Sequence, residues 1–151
     1  MLVCMLFTFS IGIEGGYSIP AVGFKNISAG TSFSIVAVRS MSIIDVTLAG
    51  QTSFYTGNNS AYHMNATGVR LGMQKSNWPI SPVLAIGVDH ISRDLNQNRE
   101  AGFVAAYSLG FIINLHIDQL HIYPKFYYDG LTDMKVHAGF IGLKLGVGYE
   151  I

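Results

Sequence analysis

Three groups of side chains in this 151-residue chain have types and spacings that could do chemistry. His90-Ile91-Ser92 sets an imidazole and a hydroxyl two positions apart, with Glu100 following across a short connection. A histidine that reaches a serine hydroxyl, and is itself oriented by a carboxylate, activates that hydroxyl for attack on an ester. This set is therefore the candidate for acyl hydrolysis. His116, Asp118 and His121 crowd one turn, and two imidazoles plus a carboxylate suit Zn2+. The nearby sequence supplies no fourth ligand, so the expectation is a polar turn and no metal. The third group is scattered: Glu14, Asp45, Arg70, Asp89, Lys125, Lys144 and Glu150 each sit among apolar or small residues. Near-balanced acids and bases of this kind are suited to pairing with one another inside a protein. Gly142, Gly146 and Gly148 lack the G-x-G-x-x-G spacing before a helix, so no nucleotide cofactor is expected.

The elements that hold these residues have a period of two. Phe7, Phe9, Ile11, Ile13 and Tyr17 alternate with Thr8, Ser10, Gly12, Glu14 and Gly16, as a strand with two unlike faces requires. The same pattern returns at about 30–38, 43–55, 66–75, 82–91, 102–113 and 119–128. It is clearest at the end of the chain, where Ile141, Leu143, Leu145, Val147 and Tyr149 oppose Gly142, Lys144, Gly146, Gly148 and Glu150. Eight runs result. The connections alternate between long (19–29, 56–65, 92–101) and short (39–42, 75–80, 114–118), with 129–135 intermediate. A meander with long loops at one end and tight turns at the other is an up-and-down antiparallel barrel, all-β and a single domain over 1–151.

Composition narrows the solvent. Half of the residues are apolar and only 12% are charged, against roughly 25% in an ordinary soluble domain. Nine cationic and nine anionic residues cancel, so there is no basic footprint for nucleic acid. The apolar stretches 1–13 and 101–117 fall short of the roughly 20 residues a spanning helix needs. Residues 1–6 read as a possible leader remnant without a basic start, and the single cysteine, Cys4, allows no internal disulfide.

Which way the barrel faces follows from the charges. The seven named above share the small, glycine-rich face; the other charged residues fall in connections, and none lies on the apolar face of an assigned run. A Lys or Arg at mid-bilayer on a barrel's lipid side costs about 2–4 kcal/mol, so this sorting fits hydrocarbon outside and a packed polar interior. A soluble, lipocalin-like barrel would reverse the faces, with the apolar set lining a ligand cavity. Aromatic residues near the run ends (Phe9, Tyr17, Phe54, Tyr55, Trp78, Phe126, Tyr127, Tyr128, Tyr149) resemble interfacial girdles.

The segment IGIEGGYSIP, the eight-run layout and the final strand FIGLKLGVGYEI together resemble small bacterial outer-membrane β-barrels of the OmpA/OmpX type. That resemblance implies an integral outer-membrane protein. Its partners would be outer-membrane lipid, lipopolysaccharide and the barrel-assembly machinery, which reads a C-terminal strand usually ending in an aromatic; Ile151 departs from this. The expected role is structural or surface interaction without a conducting pore. Loops such as TGNNSAYHMN (56–65) and the mixed-charge 92–101 would be available to a protein or glycan. The Asn-x-Ser/Thr triplets starting at Asn26, Asn58 and Asn65 read as polar loop sequence. The His-x-Ser pair with a glutamate also resembles the outer-membrane lipid A deacylases, although Arg93 follows Ser92 and the hairpin is mid-chain. Pro124 is discordant with a central strand, because it has no N–H for the ladder.

Overall fold

The computed structural model describes residues 8–23, 27–57, 62–75, 78–95, 98–133 and 137–151. The expectations for residues 1–6, Cys4, Phe7, Asn26 and Asn58-Asn59-Ser60 lie outside these. The described residues form β1 (Phe9–Val22), β2 (Ile27–Met41), β3 (Ile44–Gly57), β4 (Tyr62–Lys75), β5 (Ile80–Leu95), β6 (Asn98–Ile113), β7 (Leu115–Ile117), β8 (Leu120–Thr132) and β9 (His137–Glu150). Neighbours in sequence pair antiparallel, except β6 and β7, which both pair with β8; β1 also pairs with β9, which closes the sheet. The result is an eight-stranded up-and-down barrel in which β7 is an extension of β6.

Pro124 accounts for that interruption. Ile112 faces Lys125 and Leu115 faces Ile122 in one continuous register, and Pro124 falls between the two pairs. Its missing N–H breaks the ladder, which resumes as β7. The tight turns at this end, Ser42-Ile43 and Asp118-Gln119, each open on a residue with positive φ, Ser42 at 48° and Asp118 at 54°. Such left-handed backbone is what a two-residue hairpin needs to match strand twist.

At the opposite end, called the hairpin end below, the long loops are mostly absent. Positions 19–22, 27–29, 62–65, 92–95 and 98–101 belong to the ladder. Alternation marks where the outer solvent changes from hydrocarbon to water, whereas the ladder continues as long as backbone partners exist. The longer strands bring charge onto outward positions at their ends. By alternation Arg39 and Lys75 face outward at the turn end, the Lys75 amine sitting 5.4 Å from the Trp78 ring centre, and Asp94 and Arg99 do so at the hairpin end. Long side chains there can reach water.

The apolar set faces out. Ile13, Ile35, Leu48, Leu71, Ile86 and Leu145 are all exposed, while Glu14, Ser34, Gln51, Arg70, Asp89 and Lys144 are buried inside. This orientation excludes the soluble barrel with an apolar cavity. Phe9, Tyr17, Phe54, Trp78, Phe126 and Tyr149 are outward as expected of girdles, but Tyr55 and Tyr127 are turned in and buried.

Candidate functional site

The interior has three layers. Below the hairpin end, Ile27, Tyr55, Met64, Ala66, Ile91, Ala106, Leu131, Ala138 and Phe140 form an apolar cluster, with Tyr55 stacked on Phe140 at 4.4 Å between ring centres. The lumen is thus not polar throughout, and beneath the hairpins it is packed mainly with apolar side chains. The alternating runs of the sequence stop short of Ile27, Met64, Leu131 and Ala138, so the inward parity of these four was not legible there.

The middle layer is ionic, and each of the eight long strands contributes to it. Arg70 on β4 donates through Nη2 to Asp89 Oδ2 on β5 at 2.9 Å and through Nη1 to Asp129 Oδ1 on β8 at 2.6 Å. Arg70 also bonds Ser108 on β6, whose hydroxyl donates to Asp129. Arg70 is 3% and Asp89 0% exposed. On the other side of the lumen, Glu14 of β1 lies between two lysines, 3.6 Å from Lys144 Nζ and 3.5 Å from Lys125 Nζ. Lys144 also donates to Ser34 Oγ on β2 at 2.9 Å and to Gln51 Oε1 on β3 at 3.1 Å. Charges this far from water are tolerated when each has a counter-charge and hydrogen bonds.

Of the seven predicted interior residues, the structure gathers Glu14, Lys125 and Lys144 into one network and Arg70 with Asp89 into another. Asp45 and Glu150 stay apart from both. Asp45 accepts from Gln74 Nε2 at 3.2 Å, and Glu150 lies 3.3 Å from His121 Nε2. Asp129 was assigned to a connection, yet it sits two residues past the inward Tyr127 and completes the Arg70 site. Continuing the alternation by two residues would have found it.

Toward the turn end the interior opens into a cavity of about 350 Å³, lined by Asp45, Gln74, His116, His121, Tyr123 and Glu150 among others. His116 and His121 are cross-strand partners with ring centres 4.2 Å apart. Desolvation, then the charge of His121, hold the His116 imidazole below its ordinary range. Among the described residues no three His, Cys, Asp or Glu side chains converge as a metal site.

Glycine and tyrosine are matched across strands in this interior. Tyr127 faces Gly142, and Tyr123 faces Gly146. A Cβ on Gly142 would lie 2.5 Å from the Tyr127 ring, and one on Gly146 would lie 2.2 Å from that of Tyr123. Each ring lies flat in the space its glycine leaves, which is how bulky phenols fit a narrow lumen.

The acyl-hydrolase set does not assemble. His90 and Ser92 point outward, but Glu100 belongs to the inward parity of β6 and faces Arg93, with Arg93 Nη2 at 3.8 Å from its Oε2. Ser92 Oγ accepts from Arg99 Nε at 3.2 Å, and His90 meets the edge of Phe103 at 5.0 Å. The three groups are divided between two faces of the sheet, so the carboxylate cannot orient the imidazole as that chemistry demands.

No protein-family model matches the chain, and no curated protein matches it in sequence. Solved structures do. The attachment invasion locus protein Ail of Yersinia pestis superposes with a TM-score of 0.62 at 19% identity, covering 96% of this chain and 97% of Ail. Ail in complex with the heparin analogue sucrose octasulfate gives 0.69 at 19% identity, covering 97% and 100%. Neisserial surface protein A gives 0.61 at 12% identity over 92% and 96%, and the N-terminal barrel domain of Pseudomonas aeruginosa OprF gives 0.62 at 14% over 93% and 97%. The chain has the fold of the small outer-membrane β-barrels.

Proposed function

We propose that this chain is an integral outer-membrane barrel with a structural and surface-interaction role. In this reading the barrel does not conduct, and its hairpin end presents the contact surface. The observation that supports this is the apolar cluster around Tyr55, Met64 and Phe140, which lies in the lumen between the hairpins and the ionic layer. Water and ions do not cross a layer of packed hydrocarbon side chains. The outward apolar wall supports residence in a bilayer, and the fold supports the outer membrane in particular, with lipopolysaccharide around it and the barrel-assembly machinery as its route in. A surface glycan or protein is the partner class. The solved complex of Ail with a heparin analogue supports the glycan.

Fractionation of cells exporting the chain tests location: a band that shifts on boiling, recovered with the outer membrane, is expected, and a soluble monomer overturns the reading. Planar-bilayer recording tests the closed lumen. Purified barrel is expected to give no discrete conductance steps; steps in the parent that grow on Met64→Ala would show that the apolar cluster is a leaky gate and not a plug. A glycan array, run with the folded barrel and with a form whose hairpin tips are replaced by Gly-Ser, tests the contact surface.

A further inference from the structure

Most of the outward wall is apolar, but the sector on β3, β4 and β5 is not. Thr52, Thr67 and His90 face one another in a row across β3, β4 and β5, and the row ends at Phe103 on β6. One step nearer the hairpins, Asn65 faces Ser92. All occupy outward positions by alternation with Leu48, Val69 and Val88, which are exposed. Thr52 Oγ1 lies 2.9 Å from Thr67 Oγ1 and 3.3 Å from Asn65 Oδ1, and Thr67 Oγ1 lies 3.2 Å from the same Oδ1. The carboxamide oxygen is therefore engaged from two sides, while its nitrogen has no hydrogen-bond partner among the described residues. Phe103, 77% exposed, stands beside His90.

Height identifies what this sector touches. Lys75 and Trp78 mark the turn-end interface, and Thr67 lies on β4 well above them. At about 3.3 Å per residue and a tilt near 40°, the row stands on the order of 20 Å higher, close to the top of the roughly 25 Å apolar band of such barrels. Acyl chains give way to headgroups there. At a similar distance from their hairpins β1 and β9 present Tyr17, Ile19 and Ile141 instead, so these polar groups do not ring the barrel.

We infer that Thr52, Asn65, Thr67 and His90 form a binding site for the sugar headgroup of an outer-leaflet glycolipid, an acylated glucosamine disaccharide. This rests on the reading of the chain as an outer-membrane barrel. Hydroxyl, amide and imidazole groups beside an exposed aromatic ring match the mixed apolar and hydroxylated surface of a sugar. The row contains no Lys, Arg, Asp or Glu, so what it offers is hydrogen bonding to sugar hydroxyls and amides. Arg99, next to Ser92, is the cation available to a phosphate on the same headgroup, and the exposed Val69, Leu71, Ile86 and Val88 below offer a surface to acyl chains.

The test reconstitutes the barrel in phosphatidylcholine nanodiscs doped either with lipid A or with phosphatidylglycerol at equal negative charge, and follows the temperature at which the unboiled gel form is lost. Lipid A is expected to stabilise the parent more than phosphatidylglycerol does. The Asn65→Leu/Thr67→Val variant, and separately His90→Phe, should lose that preference, with half-saturation moving by about tenfold as two hydrogen bonds disappear. These apolar replacements suit a lipid-facing wall, so folding is retained and is checked by the gel shift in phosphatidylcholine alone. A parent without preference for lipid A, a leucine–valine variant that keeps it, or cross-linked dimers through this wall with no lipid response would each overturn the site. Failure to fold into any bilayer would instead count against the outer-membrane reading itself.

Discussion

Replacing Arg70 by Met tests the ionic layer most sharply. The guanidinium holds Asp89 at 2.9 Å and Asp129 at 2.6 Å, and both carboxylates are buried. Each pair is worth about 6 kcal/mol of gross Coulomb attraction at an effective dielectric near 20, but desolvation offsets much of this. Arg70→Met leaves two acids with no cation between them, and breaking a buried set in this way costs about 3–5 kcal/mol. With a urea slope of about 2 kcal/mol per molar, the unfolding midpoint should fall by roughly 2 M. Trp78 is the only tryptophan and lies at the turn end, so its emission reports unfolding of barrel refolded in phospholipid vesicles. The variant Arg70→Met/Asp89→Asn/Asp129→Asn removes the orphaned charges at nearly constant shape. It should recover most of the loss, ending within about 1–2 kcal/mol of the parent. If Arg70→Met unfolds within about 0.5 kcal/mol of the parent, or the triple variant is no more stable than the single one, charge pairing is not what this layer contributes.

Glu14→Gln leaves Lys125 and Lys144 facing each other without an anion, and vesicle unfolding should show a loss of about 2–4 kcal/mol, smaller in the further variant Lys144→Met. Gly146→Val places carbon into the Tyr123 ring and should destabilise by about 1–3 kcal/mol; Gly146→Val/Tyr123→Ala should restore part of it. Ser92→Ala should leave hydrolysis of a lipid ester at the parent's background, since Glu100 lies on the other face; a clear loss in the variant would reinstate the hydrolase. His116 is held below its ordinary range by desolvation and by His121, so the unfolded chain takes up its proton first as acidity rises. Stability should therefore decline as pH falls through the ordinary histidine range near 6.5, and His116→Gln should flatten that part of the profile of urea midpoints.

Strand count, pairing sense and the identity of the two faces were legible in the sequence. Hydrocarbon acts on each outward residue separately, and a period of two writes its demand into every run, as at Ile141, Leu143, Leu145 and Val147. The sequence also placed Glu14, Arg70, Asp89 and Lys144 on the inner face, because no charge could stand on the other. It did not show how far each strand runs. Alternation ends at the headgroups, while the ladder goes on to Gly57, Leu95 and Thr132; this is why Glu100 was grouped with Ser92 instead of Arg93, whereas Asp129 was missed because its run was ended one residue early, at Tyr128. Nor could it show which interior groups meet. Arg70 and Asp129 are 59 residues apart, and Glu14 and Lys125 are 111 apart. Their meeting depends on the stagger with which the sheet closes on itself, through β1 with β9 and β6 with β8, and that stagger belongs to the whole barrel and to no single strand.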